Sequence, residues 1–444
     1  MSSAPVIRVK SAVRHPRLRY VLRLIGDDLG YRFRFENDRS VFGTPTATFT
    51  IAYGGDGPRT LPHHPLVSGR DPAPADTAPS FQKDGLPVFF HTDRGPDLLA
   101  CIFYTISRYE EYQDFVPDGH GRYTAALSHA GRHGYLYRPV VREWTAQIAR
   151  QLLAWFPELP PPRRRTLLLR PTYDIDLLWA WHHRGWRGYA ALLRDLFSGE
   201  VARGVQRLRS GPENDPYNTL DRLEDLHREL GMRATYFWLV ARSGCRSDTN
   251  PFPIPDDQQK LMRRLESDAE NGLHPGYRSS DQPALMVEER VRLEAILGRN
   301  VNRSRQHFLR FRLPGTYREL LEAGIREDYS MGYSDDVGWR AGTNLPFTWY
   351  DLERERATPL VVHPFAAMDV TLKNYLRLSG ADAGARIGQL AAAVKPFGGS
   401  FTLLWHNSSF ADAYGWAGWW DNYRATLRSL LAAGAEPWSG DRKG

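Results

Sequence analysis

The stretch that decides how this chain is read is Arg170-Pro-Thr-Tyr-Asp-Ile-Asp-Leu177. It follows the apolar run Leu167-Leu168-Leu169, which has the character of a buried strand. Side chains on a strand alternate between faces, so Asp174 and Asp176 point the same way. Two carboxylates side by side at the end of a buried strand repel each other, and a proton, a basic partner or a metal ion must stabilise them. The competing reading is plainer: one aspartate caps the next helix and its neighbour is solvated.

Working outward, the segment Pro157-Glu-Leu-Pro-Pro-Pro-Arg-Arg-Arg165 just before this strand is a Pro/Arg-rich break. It predicts a linker between a domain over residues 1–160 and a second over 166–444, as 444 residues are too many for one ordinary domain. Before the linker the pattern is mixed. Residues 41–53 alternate like a strand, residues 54–80 read as loop, and residues 97–112 and 140–156 have helical spacing of apolar residues. Ser107-Arg-Tyr-Glu-Glu-Tyr112 is expected to be a salt-bridge network at a helix end. After the linker, strands and helices alternate. Strands are predicted at 167–173, 233–240 and 401–407, and helices at 186–197, 219–230, 256–270, 284–297 and 317–323. Such alternation implies a parallel sheet or a barrel, whose sites gather at the C-terminal strand ends. Asp174, Asp176, His274, His307 and His406 all fall at or just past such ends. An aspartate with two or three histidines is a ligand set suited to zinc or a similar divalent metal, which supports hydrolysis of an amide or ester.

Composition narrows the function classes. Hydrophobic residues make up 42% and charged residues 25%, as in a globular protein, and no window approaches the ~18 apolar residues of a membrane span. The N-terminus lacks a secretory apolar core, so a cytoplasmic location is expected. Cys101 and Cys245 fit two free thiols in a reducing compartment. The net charge of +7 is largely arginine, but no nucleic-acid-binding signature accompanies it.

The order of motifs in the second part resembles the polysaccharide deacetylase family, carbohydrate esterase family 4. Thr172-Tyr-Asp-Ile-Asp176 looks like its first motif, Gly272-Leu-His274 like its histidine motif, and Leu404-Trp-His406 like its last. Arg305-Gln-His-Phe-Leu-Arg310 and Arg312-Leu-Pro-Gly-Thr-Tyr317 both compete for the arginine/proline motif. Asp328-Tyr-Ser-Met-Gly-Tyr333 with Gly338-Trp-Arg340 is similar to the aromatic fourth motif. The first part resembles an uncharacterised domain that precedes such deacetylases. The resemblance implies an α/β fold, a distorted (β/α) barrel behind a smaller mixed α/β domain. It implies a metal-dependent hydrolase that removes N-acetyl groups from a sugar or glycan precursor, including an anionic one. Asp174 would be the base and His406 the acid. Asp176, His274 and His307 would hold the metal, with His363 as second choice to His307. Arg305 would tune Asp174 or bind substrate, and Arg312, Arg340, Tyr277 and Trp405 would bind substrate. One departure stands out: the histidine expected four residues after His274 is Arg278, which cannot ligate a metal. Two other readings follow, a non-catalytic carbohydrate-binding protein on a degenerate scaffold and an amidase acting on a small ureide or amide.

Overall fold

The computed structural model describes residues 4–36, 49–69, 77–197, 201–242 and 245–440. The N-terminal region carries a small parallel sheet of β1 (Val6–Lys10), β2 (Arg32–Phe35), β3 (Phe49–Tyr53) and β4 (Thr60–Leu61), in the order β2-β1-β3-β4. Only residues 49–53 of the alternating 41–53 stretch lie among the described residues, and they form β3. Helices α1 (Pro16–Leu29), α2 (Leu98–Ile106) and α3 (Val140–Trp155) pack on this region. The helix expected over 97–112 stops early, because Arg108 adopts a left-handed φ of 56° and the chain continues as a 3-10 turn, Tyr109–Tyr112. The Pro/Arg-rich segment docks onto the C-terminal end of α1. Arg163 N–H bonds the Leu29 carbonyl at 2.8 Å, and the Arg165 guanidinium bonds the Asp27 carbonyl at 2.6 Å, which satisfies carbonyls that a helix end leaves open.

The C-terminal region is built on a ten-stranded sheet. Its strands are β5 (Leu167–Ile175), β6 (Ala234–Leu239), β7 (Ala269–His274), β8 (Arg303–Ser304), β9 (Glu327–Asp328), β10 (Phe347–Asp351), β11 (Arg356–Val362), β12 (Ala367–Met368), β13 (Gly399–His406) and β14 (Glu436–Pro437). The order is β10-β11-β9-β8-β7-β6-β5-β13-β12, with β14 also pairing β5; only β10 runs antiparallel. The sequence reading had residues 256–270 wholly helical. Instead the helix ends at Leu265, and Ala269–His274 is a strand.

The sheet is curled, but it is not a barrel closed by a hydrogen-bond ladder. From β11 to β12 the row has seven steps, which laid flat would span ~34 Å at 4.8 Å each. The chain nevertheless passes from Val362 to Ala367 directly, a reach of at most ~18 Å. The two edges must therefore curve toward each other, and residues 363–366 bridge them in place of paired strands.

Central β5 is buried on both faces, as a parallel strand covered by helices should be. Its internal Pro171 has a simple reason. The Leu169 carbonyl accepts from Trp438 N at 3.1 Å, so odd-numbered residues present their backbone groups to the side shared by β14 and β6. β14 pairs residues 168 and 169, and β6 begins pairing at Thr172, so Pro171 falls in the gap where no donor is needed. The side chains follow the same alternation. Tyr173 points outward and bonds His227 and Tyr423, each at 2.8 Å, whereas Thr172 and Asp174 point into the curl.

A candidate metal centre at the strand ends

The interior of the curl converges on Asp174 and Asp176, and their repulsion is resolved by giving each a different partner. Asp174 Oδ1 accepts from Arg305 Nη1 at 2.8 Å. The same guanidinium donates to Thr172 Oγ1 at 2.7 Å and to the Tyr329 carbonyl at 3.0 Å, and it lies between the rings of Phe237 and Phe365. Gly272 belongs to this packing, because a Cβ there would come within 2.8 Å of the Phe237 ring. Arg305 is fully buried, so it is not a substrate-binding residue; its side chain holds Asp174.

Asp176, just past β5, is met by histidines. His274 Nε2 lies 3.1 Å from Asp176 Oδ1, and His307 Nε2 lies 3.5 Å from Oδ2. One ligand atom from each of the three residues falls within 4.8 Å of the others. The far nitrogens are both committed: His274 Nδ1 is 2.6 Å from the Arg305 carbonyl, and His307 Nδ1 is 3.2 Å from Asp248 Oδ1. A ring whose Nδ1–H is donated to a carbonyl or carboxylate presents the Nε2 lone pair, the usual arrangement behind metal-bound histidine. His274 Nε2 and Asp176 Oδ1 are buried without an aligned hydrogen bond, a costly state that a cation between them would relieve. The residues present therefore fit a divalent cation held by two nitrogens and a carboxylate.

His406 stands beside Asp174, as its register partner on the neighbouring strand β13. Its Nδ1 is 2.9 Å from Asp369 Oδ1, its backbone N–H donates to Asp369 Oδ2 at 2.8 Å, and its Nε2 points inward, 3.8 Å from Asp176. Burial pushes the His406 imidazole down, but Asp369 and Asp176 outweigh it and bring it up to about 10. Burial likewise opposes charge on His307, which Asp176 and Asp248 nevertheless raise to about 9. Burial would raise the Asp176 carboxyl, yet with no cation bound the charge on His307 and the closeness of the His274 and His307 rings hold it well below the usual range.

The other sequence-predicted residues lie elsewhere. Trp405 is buried against Tyr423 on the helix side of β13, as it must be if its neighbour His406 faces inward; it is not a substrate residue. Arg340 is also buried and corrects the same expectation: its Nη2 pairs with Glu111 Oε2 at 2.6 Å, tying the Ser107–Tyr112 segment to the C-terminal region. Arg312 is exposed and donates to the Gly121 carbonyl at 3.3 Å. Tyr277 is half-buried, its hydroxyl 3.0 Å from His120 Nδ1. His363 is 3.2 Å from Glu327 and stacks on Tyr329, outside the Asp176 cluster. Arg278 is exposed. Asp248 and Asp369 were not picked out from sequence. Asp369 follows the short apolar run Phe365-Ala-Ala-Met368, the same strand-then-aspartate pattern as Asp174. Asp248, within Ser247-Asp-Thr-Asn250, carries no comparable signal.

Residues 7–157 match a family of unknown function (DUF7033), and no curated protein matches the chain. Among solved structures, the chain is similar to a Mycobacterium smegmatis protein described as a polysaccharide deacetylase, at 13% identity and a TM-score of 0.39, covering 64% of this chain and 97% of that one. It is similar to Puue allantoinase at 12% identity and a TM-score of 0.39, covering 65% and 93%. It is also similar to the CE4 family pseudoenzyme BA3943 from Bacillus anthracis at 10% identity and a TM-score of 0.30, covering 62% and 64%. With TM-scores below 0.5 these likenesses add no weight to the geometry above. No helix among the described residues is long and apolar enough to cross a membrane.

Proposed function

We propose that the chain is a metal-dependent hydrolase of carbon–nitrogen bonds that removes the N-acetyl group of a sugar or glycan precursor. We place its catalytic unit in residues 166–444, behind a domain spanning 1–160. The observation that carries the reading is the pair of buried, unbonded ligand atoms, His274 Nε2 and Asp176 Oδ1, with His307 Nε2 beside them. A cation bound there, with zinc the expected ion, would polarise the scissile carbonyl and acidify a water.

The chain's own residues supply the rest. Asp174 has Oδ1 fixed by Arg305, leaving Oδ2, 3.7 Å from His274 Nε2, to take a proton from an attacking water. His406, held by Asp369 through Nδ1 and its backbone N–H, presents Nε2 from the neighbouring strand and gives a proton to the departing amine. The two groups end the neighbouring strands β5 and β13, so both face the same cleft. Arg305 and Arg340 are taken up by Asp174 and Glu111, so neither supports an anionic substrate.

The test begins with elemental analysis of protein purified without an affinity metal column, followed by acetate release from a panel of N-acetylated sugars. About one divalent ion per chain is expected, with turnover that Asp174→Asn abolishes while metal is retained. An active Asp174→Asn protein would remove the assigned base. Metal-loaded protein that releases no acetate but cleaves a ureide would replace this reading with the amidase one.

A further inference from the structure

In the resembled histidine motif, two ligands four residues apart are placed by local backbone geometry alone. Here the fourth residue after His274 is the exposed Arg278, and the nearby imidazole is His307, on a short turn after β8. That turn is strained. Phe308 and Leu309 follow His307 with φ of 58° and 54°, the left-handed region that bulky L-residues avoid at a cost on the order of 1–3 kcal/mol each. Such a conformation persists only where surrounding contacts impose it.

The C-terminal region holds part of this turn, with Tyr277 against the Phe308 ring at 5.2 Å and Leu309 packed with Phe365, Met368 and Leu404, and the N-terminal region holds the rest through the loop at residues 118–122. Arg122 Nη1 donates to the Phe308 carbonyl at 3.1 Å, and its Nη2 to Tyr375 Oη at 3.0 Å. The His120 ring packs on the Phe308 ring with centroids 4.9 Å apart, and on the other side Phe308 meets His307 at 4.7 Å. The C-terminal region answers with two arginines: Arg310 donates to the His120 carbonyl at 2.8 Å and Arg312 to the Gly121 carbonyl at 3.3 Å. The loop is itself preformed. Asp118 Oδ1 accepts from the backbone N–H of both His120 and Arg122 at 2.9 Å, Asp118 Oδ2 accepts from Arg122 Nε at 2.7 Å, and Gly121 has a φ of 80°. Arg122 itself is buried, so its side chain is held in place against this carbonyl.

We infer that the N-terminal region is a positioning element for the metal centre: its residues 118–122, through Arg122 and His120, hold the Phe308–Leu309 turn and so set His307 as the third ligand. Arg122 and His120 touch neither metal nor substrate in this scheme; they act through His307. The inference rests on the metal-site reading above and assigns part of that site to the region matched by the family of unknown function.

The experiment uses the full-length chain and two probes, Zn²⁺ affinity by competition with a chromophoric chelator and the visible absorption of the Co²⁺-loaded protein. Arg122→Ala should weaken Zn²⁺ binding by about tenfold, the lower end of what losing an outer support of a metal ligand costs. It should also move the Co²⁺ spectrum toward that of His307→Ala. His120→Ala alters a half-exposed ring, so it tests the same point if Arg122→Ala does not fold, and it should shift both readouts the same way by less. A general loss of stability would not reproduce the His307→Ala spectrum. The inference is overturned if both variants keep wild-type affinity and spectrum while His307→Ala loses them. If the wild-type chain binds neither ion, the metal-site reading fails and takes this inference with it; if His274→Ala loses metal but His307→Ala does not, the metal reading stands and the inference alone falls.

Discussion

Replacing Arg305 by methionine tests how the site keeps a carboxylate buried. The guanidinium is fully buried and makes three bonds, to Asp174 at 2.8 Å, Thr172 at 2.7 Å and the Tyr329 carbonyl at 3.0 Å. A methionine stem still packs between Phe237 and Phe365, so little cavity cost is added. What disappears is the charge. Breaking a buried ion pair from one side costs on the order of 3–5 kcal/mol, because the remaining ion has no counter-charge, and each lost neutral bond adds about 1 kcal/mol. Arg305→Met should therefore lower the stability of the metal-free protein by about 5–7 kcal/mol, read as a shift in denaturant midpoint at pH 7. Asp174→Asn in the same background removes the stranded charge. The double variant should recover about 2–3 kcal/mol relative to Arg305→Met, a coupling well beyond the scatter expected for independent sites. A single-variant loss below about 1 kcal/mol, or effects of the two substitutions that simply add, would refute the view that Arg305 serves as the counter-charge to Asp174.

Other outcomes follow from the same geometry. His274→Ala and His307→Ala should each lower Zn²⁺ affinity by more than about 100-fold, Asp248→Asn by about 10–100-fold through loss of the His307 support, and His363→Ala not at all; chelator competition measures all four. His227 is buried against Tyr173, and burial pushes its imidazole down to about 3 from the usual 6.5. The unfolded chain takes up that proton near pH 6.5 and the folded chain only near pH 3. The contribution is therefore intact above pH 6.5 and lost as pH falls toward 3, on the order of 4–5 kcal/mol in all. Urea midpoints at pH 7, 5 and 4 should fall in wild type and fall less in His227→Gln. Glu111→Gln strands the buried Arg340 guanidinium and leaves Arg108 with Glu110 alone, and should cost about 3–5 kcal/mol, seen in the same unfolding assay.

How far the sequence could be read depended on whether a feature was local. Period-2 alternation placed Asp174 and Asp176 on one face, and the structure directs Asp174 and its neighbour Thr172 into the curl. The same rule, applied to Leu404-Trp-His406, turns Trp405 away from the face that carries His406, and the structure packs it against Tyr423. The two-residue strands Arg303–Ser304 and Glu327–Asp328 were missed because so short a run has no period to detect. Arg340 was read as a substrate residue because its partner, Glu111, lies in the other half of the chain, where no spacing rule reaches. Asp248 was missed for the same reason: it meets His307 only through the folded loop after β6.

A metal held by His274 and His307, as proposed, would depend on different supports from one held by two histidines on a single helical turn. Two histidines one helical turn apart stay correctly spaced whenever that turn forms. His274 and His307 come from separate strand connections, and their separation is set by the β7–β8 pairing, by the Arg305 carbonyl that orients one ring and by Asp248, which orients the other. Arg305 thus links the proposed base and a proposed ligand: its side chain holds Asp174, and its backbone carbonyl holds His274. Metal binding to such a site must be coupled to the folding of everything that spaces the ligands. Saturating Zn²⁺ should therefore raise the thermal midpoint of the wild-type chain, and should raise it less in Asp248→Asn, whose His307 ring is no longer oriented. An equal rise in both proteins would show that His307 is held without Asp248, and that the burden lies entirely on the strained turn behind it.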